Sequence, residues 1–310
     1  MAKQATREAY GRTLEKLGAE RDFFVLDADL SCSTNTKYFA DKYPERFFNC
    51  GIAESNMISV AAGMAASGTP VFASSFAMFA TGRAFEQVRN SVGYPHLNVK
   101  IAASHSGVTV GEDGATHQCC EDIALMRTIP GMTVLSPADS AETEWAVRAA
   151  LDIDGPVYIR LGRYACEQVS DTASGNKVGK GRVLCDGSDI AIFATGLLVP
   201  EALEARAALA DMGVSAAVID IHTIKPIDTS LICHYARRCS CGIITAEEHS
   251  IIGGLGSAVC EAVCGELPCR VIRVGINDCF GTSAPAGELL KYYGLNAEGI
   301  LAAVSRLRQR

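Results

Sequence analysis

A chain of 310 residues, 48% hydrophobic and 20% charged, is a soluble globular composition with enough apolar mass for one large core or two ordinary ones. A formal charge of −7 without any basic block excludes nucleic acid as the main partner, since binding a phosphate backbone needs clustered Lys and Arg. No apolar run reaches the length of a bilayer span, the first residues lack the apolar core of a signal peptide, and thirteen scattered cysteines frame no disulfide scaffold, so a reduced, cytoplasmic protein is expected.

Taken in order, strands and helices alternate. Residues 22–29 form a short β-rich run, and 54–67 place Met57, Ile58, Ala61, Ala62 and Ala65 at helical spacing before Gly68-Thr69-Pro70 stops the helix. A strand at 71–74, a helix at 78–92 and a largely apolar strand at 99–104 follow. Next come a strand at 132–135, a Ser-Pro-Ala-Asp turn that starts the helix 140–151, and a strand within 155–161. Between 168 and 187 the apolar period gives way to Ser, Asp, Thr, Gly, Asn and Lys, which predicts a linker with the domain boundary at 172/173.

Alternation then resumes, with strands at 189–195, 214–219, 242–245 and 269–274 and helices at 200–212, 230–238 and from the turn Gly253-Gly254-Leu255-Gly256 to 264. The prediction is α/β, with two consecutive domains, 1–172 and 173–310, each a mostly parallel sheet flanked by helices. The glycine turn has neither the G-x-G-x-x-G nor the G-x-x-x-x-G-K-[ST] order, so it reads as a helix start that approaches a neighbouring backbone. Glu247, Glu248 and His249 read as exposed loop charge. Cys119-Cys120 and Cys239-Ser240-Cys241 lack the C-x-x-C spacing of a zinc site, and packing is the expectation for both.

The stretch His105 to Gln118 stands apart. It gathers His105, Glu112, Asp113 and His117 in one polar, glycine-rich loop directly after the buried strand 99–104, and open α/β sheets place ligands at that end of their strands. A polar loop of this length inside a compact domain is usually functional.

Three pieces, Gly51-Ile52-Ala53-Glu54, the aromatics Phe76 and Phe79, and the pattern H-x7-D-G-x-T-H from His105 to His117, together resemble the pyrimidine-binding domain of transketolases. Ile221-His222-Thr223-Ile224-Lys225-Pro226-Ile227-Asp228 and Ala246-Glu247-Glu248-His249-Ser250 resemble the transketolase C-terminal domain, so the resemblance covers nearly the whole chain. Family enzymes hold Mg²⁺ and the diphosphate of thiamine diphosphate on a separate domain with a G-D-G motif and a downstream Asn. This sequence has no such element, and Gly111-Glu112-Asp113-Gly114 is not that motif.

The resemblance therefore implies the C-terminal subunit of a split, two-polypeptide transketolase, active only with an N-terminal partner subunit that carries the diphosphate and Mg²⁺ site, in a heterotetramer of two plus two chains. The implied reaction moves a two-carbon ketol unit from a ketose phosphate to an aldose. By the same resemblance Glu54 hydrogen-bonds the aminopyrimidine and favours the imino tautomer that takes the thiazolium C2 proton. Phe76 and Phe79 would form the ring platform, with Gly82 standing where the family carries a further aromatic, and Asp29 matches another cofactor position. Arg7, Ser33, His105 and Arg163 match sugar-phosphate positions, and the positive ends of His105 and Arg163 would supply the attraction. Asp113 matches the group on the hydroxyl next to the carbonyl, and His117 the catalytic, hydroxyl-binding histidine.

Alternatives are the beta subunit of a 2-oxo-acid dehydrogenase, a deoxyxylulose-phosphate synthase-like enzyme, or a regulatory or binding subunit that kept the fold. Glu54, Asp113 and His117 favour an enzyme, and His105 favours a phosphorylated acceptor.

Overall fold

The computed structural model describes residues 3–169 and 175–309. The boundary expected at 172/173 lies outside the described residues. The fold is α/β and is carried by two main sheets flanked by helices. The first orders its strands Thr223–Lys225, Thr133–Leu135, Val157–Arg160, Val99–Ser104, Val71–Phe76, Phe24–Asp27, Phe47–Asn49. Every pairing in it is parallel except that of Thr223–Lys225. The second runs Val271–Ile276, Gly242–Ser250, Ile190–Ala194, Ala216–Asp220, Arg182–Cys185, parallel except for the last pair.

Three strands correct the sequence reading. Arg182–Cys185 lies inside the expected linker and pairs antiparallel with Ala216–Asp220. Thr223–Lys225, from the second half of the chain, completes the first sheet by pairing with Thr133–Leu135. Both are edge strands of three or four residues, too short to show a hydrophobic period. Gly242–Ser250 runs past residue 245, and Glu247, Glu248 and His249 on it are 0%, 3% and 0% exposed rather than surface charge. Charged side chains made that extension look like loop, because buried carboxyls are rare unless they find hydrogen-bond donors.

Apolar packing joins the halves. One cluster of fully buried side chains includes Leu26, Ala73, Ile101 and Val134 of the first sheet and Ala191, Phe193, Ile219 and Ile243 of the second. Parallel strands buried on both faces are mostly apolar, which explains the near-continuous apolar runs in the sequence. Lys100 is the exception within Val99–Ser104. It is fully buried, and its ammonium donates to the carbonyls of Ile153 (2.7 Å) and Gly155 (2.8 Å). Polar side chains start the helix Ser140–Asp152: Asp139 accepts from Glu142 N–H while Glu142 Oε2 accepts from Ala138 N–H, both at 2.8 Å, a reciprocal cap.

Candidate functional site

The strands of a parallel sheet end together, so residues distant in sequence meet along one edge. Arg163 follows Val157–Arg160, His105 follows Val99–Ser104, Phe76 closes Val71–Phe76, Asp29 follows Phe24–Asp27 and Glu54 follows Phe47–Asn49, in the order in which the strands lie.

Glu54 is the first residue of the helix Glu54–Ala66, where the dipole favours a carboxylate, and is 2% exposed. Its Oε2 accepts from Arg83 Nη1 at 2.8 Å, while Oε1 accepts no bond from the described residues. The Arg83 guanidinium lies over the Phe79 ring, 4.5 Å from its centroid. Phe79 stacks with Phe76 at 5.8 Å and 13°, and His117 meets it edge-on at 5.4 Å. Phe76 is buried beneath His105, ring to ring at 3.7 Å, so it backs the cluster while half-buried Phe79 faces outward. At Gly82 a side chain would run into the Met78 methyl group, which occupies that place.

Asp29 is exposed, with a left-handed backbone (φ +63°). Its N–H donates to Asn49 Oδ1 and Asn49 Nδ2 donates to its Oδ1, both at 3.1 Å, and Asn49 Oδ1 also accepts from Gly51 N–H at 2.9 Å. Those bonds tie Asp29 to the turn that leads into Glu54.

A second group of residues converges on His105. Arg7, in the helix Thr6–Leu17, donates to the Ser33 carbonyl at 2.8 Å and lies 3.4 Å from His105 Nε2. Arg163 donates to the Val110 carbonyl and pairs with Glu112 at 3.4 Å. Burial, and next the Arg163 charge, lower the Arg7 pKa, which marks two cations held close together, an arrangement suited to an anion. His105 does not share the positive charge expected of it. Burial, then Arg7, Arg163 and His117, push its pKa down to about 3, and its Nδ1 pairs with Ser104 Oγ at 2.8 Å. The charge of this group therefore rests on Arg7 and Arg163, and His105 adds a hydrogen bond.

His117 is half-buried, with Nδ1 paired to Thr116 Oγ1 at 2.9 Å, and joins the aromatic group. Asp113 ends the tight helical turn Val108–Asp113 and is exposed, without a hydrogen bond to the other site residues among those described. The loop 105–118 is pinned by Gln118, whose amide donates to Val108 O (3.0 Å) and to Thr282 O (2.9 Å) of the second half. Arg83 is absent from the sequence reading, which gives Gln118 no role beyond ending the loop and takes Glu248, which accepts from Thr109 N–H at 2.6 Å, as exposed charge. For Arg83 the usable signal is its spacing, four residues after Phe79 and one helical turn on.

Residues 2–168 match the transketolase pyrimidine binding domain and residues 179–300 the transketolase C-terminal domain. The chain is 52% identical over 298 residues to a Methanocaldococcus jannaschii protein described as a transketolase C-terminal section, covering 95% of this chain and 93% of that one. It is 41% identical over 305 residues to a 6-deoxy-6-sulfo-D-fructose transketolase subunit of Clostridium sp., covering 98% and 94%. A solved split-gene transketolase, an inactive beta4 tetramer, superimposes with a TM-score of 0.91 at 51% identity over 98% of both chains.

Proposed function

Given that this chain belongs to the transketolase family, we propose that it is the C-terminal subunit of a split transketolase that transfers a two-carbon ketol unit from a ketose phosphate to an aldose. The partner subunit carries the diphosphate and Mg²⁺ site, and two copies of each chain assemble in the cytoplasm. The observation that carries this reading is the Glu54, Phe79 and Arg83 group lying on the same sheet edge as the Arg7 and Arg163 pair. One end suits an aminopyrimidine and the other a sugar's terminal anion.

The residues fit the pyrimidine end of thiamine diphosphate. Glu54 leaves one carboxyl oxygen without a bond from the described residues, and Arg83, which holds the other, lies over the half-buried Phe79 ring, which gives the polar and apolar pairing that an amino-substituted aromatic ring requires. Bound thiamine diphosphate supplies the nucleophilic carbon and the electron sink. Glu54 Oε1 orients the ring and its proton, and Arg83 fixes the other carboxyl oxygen. His117, edge-on to Phe79, holds or passes a proton at a substrate hydroxyl, and Asp113 orients the neighbouring one. Arg7, with Ser33 and His105 beside it, and Arg163 bind the phosphate. Among the described residues no group of three His, Cys, Asp or Glu side chains could hold a metal, and in this reading Mg²⁺ sits on the partner.

A relative that is a subunit and another solved as an inactive beta4 tetramer support the need for a second chain. Co-expression with a chain bearing the diphosphate domain should yield ketol transfer that depends on both chains, thiamine diphosphate and Mg²⁺, whereas either chain alone should give none. Full activity of this chain by itself would refute the split arrangement. Decarboxylation of a 2-oxo acid without ketol transfer would favour the dehydrogenase alternative.

A further inference from the structure

The strand Gly242–Ser250 overruns its own sheet. Its register against Val271–Ile276 shifts between Ala246 and Ser250, and strand alternation turns Glu247 and Glu248 to opposite sides. Glu247 accepts from Leu255 N–H (2.6 Å) and Gly256 N–H (2.7 Å), starting the helix Leu255–Glu266. Glu248 enters the first domain, where its Oε1 accepts from Thr109 N–H at 2.6 Å and the Thr109 hydroxyl is buried beside it. At Gly107 (φ +75°) a Cβ would collide with the Glu248 carboxyl, so only glycine permits this approach. Arg160 Nη2 donates to the Glu248 carbonyl at 2.7 Å, while its Nε and Nη2 hold Asp122 at 2.8 and 3.2 Å.

We propose that Glu248 is a positioning residue for the loop 105–118, which acts through Thr109 and Gly107 to place His105, Asp113 and His117 and which couples that placement to a proton. The proposal rests on reading this loop as the substrate site, but its test reads the loop itself. Burial raises the Glu248 pKa to about 7, against the lowering by Arg160 and by the Thr109 N–H bond, and Asp122 raises it further. Cys120 is a further titratable group, among the described residues, that feels its charge. An opened loop would return Glu248 to water and to the ordinary carboxyl range. The closed form therefore binds the proton more tightly. Its advantage is full below the ordinary value and is lost as pH rises to about 7.

Hydrogen exchange of the full chain, followed at residues 107–118 and corrected for intrinsic pH dependence, tests this. The wild-type opening constant should rise by at most about tenfold per pH unit between pH 5 and 7, then level off. Glu248→Gln keeps an acceptor oxygen but cannot ionise, so it should show no such rise and should protect the loop better than wild type at pH 7.5. Glu248→Ala should open the loop about tenfold or more at pH 5.5. An equal rise in wild type and the Gln variant, or an Ala variant as protected as wild type, would overturn the proposal. If the Ala variant does not fold, the Gln comparison decides alone. Absence of ketol transfer with a partner would instead refute the functional reading and leave this exchange result standing.

Discussion

Glu54→Gln is expected to lower turnover of the reconstituted complex on the order of 10²–10⁴-fold, the range that a positioned acid–base group supplies. The glutamine has the same shape and can still accept from Arg83, so the helix start and the ring cluster should survive. It cannot bear a carboxylate or exchange a proton with the pyrimidine at Oε1, and catalysis differs there. The lost ion pair involves Arg83, which is half-exposed, so stability should change by only about 1 kcal/mol or less. Proton exchange at the reactive cofactor carbon is the direct readout beside turnover. Exchange at the wild-type rate in the variant would remove Glu54 from the mechanism.

For Arg7→Met the expected result is a rise of about 10- to 100-fold in the KM for a phosphorylated aldose, with kcat falling much less. A charge-assisted hydrogen bond contributes roughly 1.5–3 kcal/mol, and methionine leaves the buried stem of the side chain in place. Glycolaldehyde, which lacks the phosphate, should show little change. His105→Ala is a poorer probe than its sequence position suggests. Its ring is neutral and stacks on Phe76 at 3.7 Å, so its loss should weaken both acceptors by disturbing the aromatic cluster. Equal losses for both acceptors in Arg7→Met would mean that the guanidinium serves Ser33 and the loop rather than an anion.

What the sequence discloses follows from how burial writes itself into a chain. Central parallel strands such as Val71–Phe76 and Val99–Ser104 are largely apolar, and the dense polar loop that follows Val99–Ser104 stands out, so His105, Asp113 and His117 are visible without a structure. Arg83 is hidden because an arginine on a helix has an ordinary explanation on the surface. Glu247 and Glu248 mislead for a related reason: each is a carboxyl buried against backbone N–H groups that no local pattern announces. The neutrality of His105 depends first on burial and then on two arginines distant in sequence, Arg7 and Arg163, and no motif carries that information. Thr223–Lys225 shows the same limit at the level of topology, since three residues that leave the second half to close the first sheet have no period of their own.

The division of the cofactor between two polypeptides is the central claim, and calorimetric titration of thiamine diphosphate with Mg²⁺ tests it most directly. This chain serves the pyrimidine end through Glu54 and Phe79 and, in the proposed arrangement, leaves the charged diphosphate to its partner. Alone it should bind weakly, with a Kd on the order of millimolar and no Mg²⁺ dependence, and together with the partner chain on the order of micromolar or tighter with strict Mg²⁺ dependence. Micromolar, Mg²⁺-dependent binding by this chain alone would contradict the account.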